Sequence, residues 1–102
     1  MNYKEVLKGY IDAKGKFSHF PGKRQKEKQE IMLQYLAEQL KAGREYSEVE
    51  VNDILNQHHS FGDPATLRRL MFGKKFIDRT IDGRRYWLVE NSAVINKAMT
   101  NL

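Results

Sequence analysis

Two adjacent arginine pairs, Arg68-Arg69 and Arg84-Arg85, are the side chains of this sequence best suited to meeting another molecule. A guanidinium offers a planar fork of donors that matches two phosphate oxygens or the O6/N7 edge of a guanine. Lys74 and Lys75 lie between the pairs and Thr66 just before the first, adding two point charges and a hydroxyl of the kind that holds phosphate. Lys23 and Arg24, followed by Lys26 and Lys28, form a second basic group far upstream. The chemistry these residues share is recognition of a polyanion. Each has a plainer role to compete with. Glu48 and Glu50 are available as ion-pair partners for Arg68 and Arg69, and Arg84 and Arg85 would be exposed at a turn whatever their use.

Other chemistries are less well served. His58-His59, with His19 or Asp63, could be read as metal ligands, but no two histidines stand at i, i+4 and there is no cysteine, so no metal is expected. Nucleophile-elbow, phosphate-loop and zinc-protease signatures do not occur, so no catalytic residue, cofactor or enzymatic activity is assigned.

Length and charge narrow the class. The 102 residues suit one domain built on a three-helix core. Lys and Arg number 18 against 13 Asp and Glu, a net charge of +5 that favours a polyanionic partner. Its placement says more. Six basic residues and one acidic, Glu27, lie between Lys14 and Lys28, and seven basic against two acidic between Arg68 and Arg85. The acidic Glu38, Glu45, Glu48, Glu50 and Asp53 cluster between these runs. No apolar run approaches the ~20 residues that span a bilayer. Lys4, Glu5, Lys8, Asp12 and Lys14 interrupt any signal-peptide core, so a soluble cytoplasmic protein is expected.

The elements that must position the arginines can be read from caps and periodicity. A short helix is expected over Asn2–Tyr10 with Val6, Leu7 and Tyr10 as its apolar stripe, then a short strand through Phe17 and Phe20 packed at the edge of the wing. Leu33, Leu36, Ala37 and Leu40 mark a helix over about Lys23–Leu40, closed by Gly43. Ser47-x-x-Glu50 is a capping box that starts the next helix, with Val51, Ile54, Leu55 and His58 on one face. Asp63-Pro64 repeats the signal: Asp63 caps, and Pro64 suits a first helical position whose N–H is not needed. In that third helix Leu67, Leu70 and Met71 are expected inside, with Arg68, Arg69 and Phe72 elsewhere. Asp82-Gly83 as the centre of a tight turn pairs Thr80 with Arg85, Arg79 with Tyr86 and Ile77 with Leu88. A last helix is expected over Ser92–Met99, and Tyr46 and Trp87 are read as packing residues.

Several ordered segments resemble a bacterial family, domain of unknown function 2087. They are Phe20-Pro21-x-Lys23-Arg24, the run from Gly43-Arg44 through Tyr46-Ser47-Glu48 to Glu50-Val51-Asn52, Leu67-Arg68-Arg69, Asp78-Arg79, and Gly83-x-x-Tyr86-Trp87. The resemblance spans about residues 11 to 89. It implies a small winged-helix-like module in the setting of transcriptional regulators, at times fused to another helix-turn-helix, with no biochemical activity to carry over. Two positions depart from the family pattern. Lys75 stands where a glycine is usual, at the turn leaving the third helix, and Leu70 where an acidic residue is usual.

The reading that unites these features is one α+β, mostly helical domain over residues 1–102: a winged helix-turn-helix with a C-terminal hairpin wing and short terminal helices. Its expected partner is double-stranded DNA, with the third helix in the major groove and the wing tip on the flanking backbone. Thr66, Arg68, Arg69, Lys74, Lys75, Arg84, Arg85, Lys23 and Arg24 are the candidate contacts. A homodimer through Val6, Leu7, Tyr10, Val94, Ile95 and Met99 would supply the contacts one module lacks. The rival is a protein-interaction or sensing module that keeps the fold without binding DNA. RNA is a third partner that phosphate attraction alone does not separate from DNA.

Overall fold

Side-chain caps start three of the four α-helices among the described residues. The computed structural model describes residues 2–90; the helix expected over Ser92–Met99 lies outside them. The Asn2 side chain caps α1 (Tyr3–Val6), which runs into a 3-10 turn at Lys8–Tyr10. Helix α2 (Lys26–Ala37) is shorter than its apolar pattern suggested. The chain before it turns at Gly22–Gln25, where the side-chain amide of Gln29 donates to the carbonyls of Pro21 and Gly22. The helix closes at Ala37, so Gly43, although left-handed at φ 79°, serves the later turn into the first strand.

Ser47 and Glu50 form the expected box at the start of α3 (Glu48–Asn56): the Ser47 hydroxyl accepts the Glu50 amide at 3.1 Å and the Glu50 carboxylate accepts the Ser47 amide at 2.8 Å. Helix α4 (Pro64–Gly73) begins with Pro64, and the Asp63 carboxylate accepts the Thr66 amide at 3.2 Å. It ends in a motif that normally requires glycine. The Phe76 amide donates to Met71 and the Lys75 amide to Phe72, both at 3.0 Å, which places Lys75 at the left-handed residue of a Schellman cap with φ 65°. Among the described residues Lys75 is the one non-glycine with positive φ.

The strands β1 (Glu45–Tyr46), β2 (Ile77–Arg79) and β3 (Tyr86–Leu88) form an antiparallel sheet in the order β1-β3-β2. The hairpin register is the expected one, with Ile77 opposite Leu88 and Arg79 opposite Tyr86. The turn itself sits one residue earlier than expected. Gly83 donates to the Thr80 carbonyl at 2.9 Å, so Ile81 and Asp82 are central and positive φ falls on Gly83 alone.

Leu33, Leu36, Val51, Leu55, Leu67, Met71, Ile77 and Tyr86 meet in a single core where α2, α3, α4 and the sheet converge. Each fully buried aliphatic there stabilises the fold by roughly 1.5–3 kcal/mol relative to exposure. Leu7 is buried in the same core and Val6 and Tyr10 pack on it, so three of the six residues expected at a dimer interface lie against their own chain. Val94, Ile95 and Met99 lie outside the described residues. Phe17 is buried but belongs to no extended strand: it bridges Ile11 on one side and His59 on the other, while Phe20 is half-buried nearby. A single residue strapped to the exit of α3 replaces the edge strand expected against the wing. Among the described residues, no helix is long and apolar enough to cross a membrane.

Candidate nucleic-acid interface

Helix α4 is aimed by the turn that precedes it. His59, buried at the end of α3, spans that turn: its Nδ1 lies 2.7 Å from the Leu55 carbonyl and its Nε2 accepts the Asp63 amide at 3.0 Å. A carbonyl needs a donor and an N–H needs an acceptor, so these partners require neutral imidazole protonated at Nδ1. The Thr66 hydroxyl and then its amide hold the Asp63 carboxyl below its ordinary value, with a smaller contribution from the charge of Arg69. Both ends of the α3–α4 turn are therefore fixed by side chains.

The buried arc of α4 is rotated from the expected one. Leu67 and Met71 are inside as expected, but Leu70 is 37 % exposed and Arg68 only 9 %. A buried guanidinium is tolerable only when its donors are used. Arg68 donates through Nη1 to Asn52 Oδ1, lies 3.5 Å from the Glu48 carboxylate, and stands with its Cζ 5.7 Å from the Tyr86 ring centroid. It thus ties α3 to α4 and β3. Arg69, about 100° further round the helix, faces out and donates a long 3.4 Å hydrogen bond to Thr66 Oγ1.

Beside Arg69 a cleft of about 380 Å³ opens between α4 and the hairpin. Arg69 and Phe72 line it from the helix, Arg79 and Tyr86 from the hairpin, and Arg68 and Glu48 line it as well. The Arg79 guanidinium lies over the Phe72 ring with 4.7 Å to the centroid. Neither Arg69 nor Arg79 makes an ion pair among the described residues. Arg44, Arg68, Lys74, Arg84 and Arg85 all do.

The other expected contacts are dispersed. Arg84 and Arg85 stand at the hairpin tip, 3.6 Å from Asp82 and 3.5 Å from Glu45; both pairs are open to water, and such pairs are worth ~0–1 kcal/mol, so a phosphate can displace them. The Asp82 carboxyl is held below its ordinary value by the Thr80 hydroxyl first and the Arg84 amide second. Lys74 pairs with Glu30 at 3.0 Å and, with Lys75, lines a different groove bounded by Gln34, Phe76 and Val89. Lys23 and Arg24 are exposed in the loop before α2 and line neither cleft. Thr66 is half-exposed on the first turns of α4.

Arg79 is the site residue that sequence reasoning passed over. The signal was present: the hairpin register sets Arg79 opposite Tyr86 and hence on the same face of the sheet. A model of the family described as uncharacterized protein conserved in bacteria (domain of unknown function 2087) matches residues 16–88. No curated protein and no solved structure matches the chain.

Proposed function

The chain belongs to the bacterial family domain of unknown function 2087, and from that premise we propose that it is a winged helix-turn-helix module that binds double-stranded DNA, as or within a transcriptional regulator. The order helix, strand, helix, helix, strand, strand from α2 to β3, with β3 central in the sheet, supports the winged-helix assignment. In this reading α3 and α4 are the helix-turn-helix and β2–β3 the wing. Helix α4 enters the major groove with Thr66, Arg69 and Leu70 outward, and the tip carries Arg84 and Arg85 to flanking phosphates. Arg68 acts by position, holding α4 on α3. One module makes few contacts, so two copies on one duplex would supply specificity.

The observation that carries the reading is the pairing pattern. Glu48, Glu50, Glu45 and Asp82 are paired with Arg68, Arg44, Arg85 and Arg84, while Arg69 and Arg79 on the α4–wing face make no ion pair among the described residues. The test is binding of duplex DNA across a salt series. Affinity should fall linearly in a log–log plot, and neutralising Arg84 and Arg85 should lower the slope on every duplex alike. Thr66→Ala on the outward face of α4 should instead weaken binding chiefly to the preferred sequence, because base edges differ along a duplex and phosphates do not. Absence of salt-dependent affinity for any duplex at low ionic strength would sink the proposal. A protein-interaction module is the second reading, favoured by the exposure of Leu70 and Phe72 on α4 and of Val49 on α3.

A further inference from the structure

The geometry points to the α4–hairpin cleft as a receptor for a single phosphate group, gripped between Arg69 and Arg79. The inference rests on the DNA-binding reading for the source of that phosphate, a backbone phosphodiester of the duplex, and adds Arg79 as a contact. Three observations carry it. The cleft holds three guanidiniums against one carboxylate, and that carboxylate, Glu48, is already taken up by Arg68. Arg69 and Arg79, one from each wall, have no ion-pair partner among the described residues.

Third, Arg79 is held in place before any ligand arrives. The Arg79 Cζ lies over the Phe72 ring, 4.7 Å from its centroid, and the backbone of Gly83 runs so close that an added Cβ would stand 3.0 Å from Arg79 Nη1. A guanidinium resting on a ring gives up none of its N–H groups to another acceptor, and those are the donors a phosphate uses. An arginine held this way loses less freedom on binding than one waving in solvent. Placement agrees with the chemistry. If α4 lies in the major groove and the tip reaches the flanking backbone, the cleft between them straddles the strand at the lip of the groove, where a phosphate must sit.

The test uses the full chain and the variants Arg79→Gln and Arg79→Lys, at an exposed position where folding is checked by thermal denaturation. With duplex DNA, Arg79→Gln should lower the log–log salt slope by about 0.9, the value for one phosphate contact, with preferred and random sequences weakened equally. Arg79→Lys should keep most of the slope and lose affinity, since the charge stays and the fork goes. If wild type binds duplex and Arg79→Gln leaves slope and affinity unchanged, the clamp is wrong and the DNA reading stands. If wild type binds no duplex, the DNA reading falls and titration with inorganic phosphate decides the clamp. Shifts of the Arg69 and Arg79 Nε–Hε resonances in wild type, with the Arg69 shift lost in Arg79→Gln, would then support a free phosphate or phosphate ester as the ligand. No shift at either arginine would overturn it.

Discussion

Replacing Lys75 with glycine should make this protein more stable. Lys75 occupies the left-handed position of the Schellman cap that ends α4, with φ 65°. A side chain bearing a Cβ pays about 1–2 kcal/mol there, from the clash of Cβ with the following carbonyl. Glycine removes that cost and returns roughly 0.5–1 kcal/mol through the greater freedom of the unfolded chain. The net gain is about 0.5–1 kcal/mol, or a rise in Tm of about 2–8 °C at ~4–8 °C per kcal/mol for a domain near this size. Lys75→Ala keeps the Cβ and should gain nothing, and Lys75→Asn should fall between, because asparagine tolerates this region. Urea denaturation of the three variants gives the order directly. A Lys75→Gly protein no more stable than Lys75→Ala would refute the reasoning. The same variant should bind duplex DNA with a nearly unchanged salt slope, since Lys75 lines the groove beside Gln34 and Val89 and not the arginine cleft.

Ser47→Ala should cost about 1 kcal/mol in chemical denaturation, because it deprives the Glu50 amide of its acceptor and leaves half a capping box. Arg68→Ala should cost about 2 kcal/mol through the lost hydrogen bond to Asn52, the lost ion pair and the lost contact of the guanidinium with the Tyr86 ring; Arg68→Lys should recover little, and a neutral effect would contradict its structural role. The carboxyls of Asp12, Asp63 and Asp82 are held below the ordinary value of 3.8, so the stability they add is present above that value and lost as pH falls through their folded values. His58 acts in the same direction from about pH 6.5 downward, its imidazolium disfavoured by burial and then by Lys16. Tm should therefore decline gently below pH 6.5 and more steeply below pH ~4, and Asp63→Asn, which still caps, should flatten the acid limb; a steep limb unchanged by that variant would be contrary.

What was legible in the sequence was whatever local chemistry decides. The Ser47 box, the Asp63-Pro64 start and the hairpin register all depend on residues within a few positions of each other, and all are present. Features set by tertiary contact were legible only in part. Glu48 was expected as an ion-pair partner of the Arg68-Arg69 pair and does meet Arg68, but the hydrogen bond to Asn52, the burial of Arg68 and the exposure of Leu70 were not foreseen. Strand β1 is two residues long, too short to show alternation, and exists because Tyr46 pairs with Tyr86. Phe17 and Phe20 alternate like a strand, yet Phe17 has neighbours for only isolated bridges. Lys75 was visible as a departure from the family pattern, but its left-handed backbone was not. Of the expected contacts, Arg68 and Arg69 line the α4–hairpin cleft, Arg84 and Arg85 stand at the hairpin tip outside its lining, and Lys23, Arg24, Lys74 and Lys75 stand away from it.

The central claim is that one face, α4 with the hairpin, meets duplex DNA. Amide and arginine side-chain resonances recorded during a titration with a short duplex at low salt test it most directly. The account predicts shifts concentrated at Asp63–Gly73 and Ile77–Tyr86, with Arg69 and Arg79 among the largest, and little change in α1 or in Lys26–Ala37 of α2. Shifts confined to the groove around Gln34, Phe76 and Val89, or no shifts at all, would contradict it.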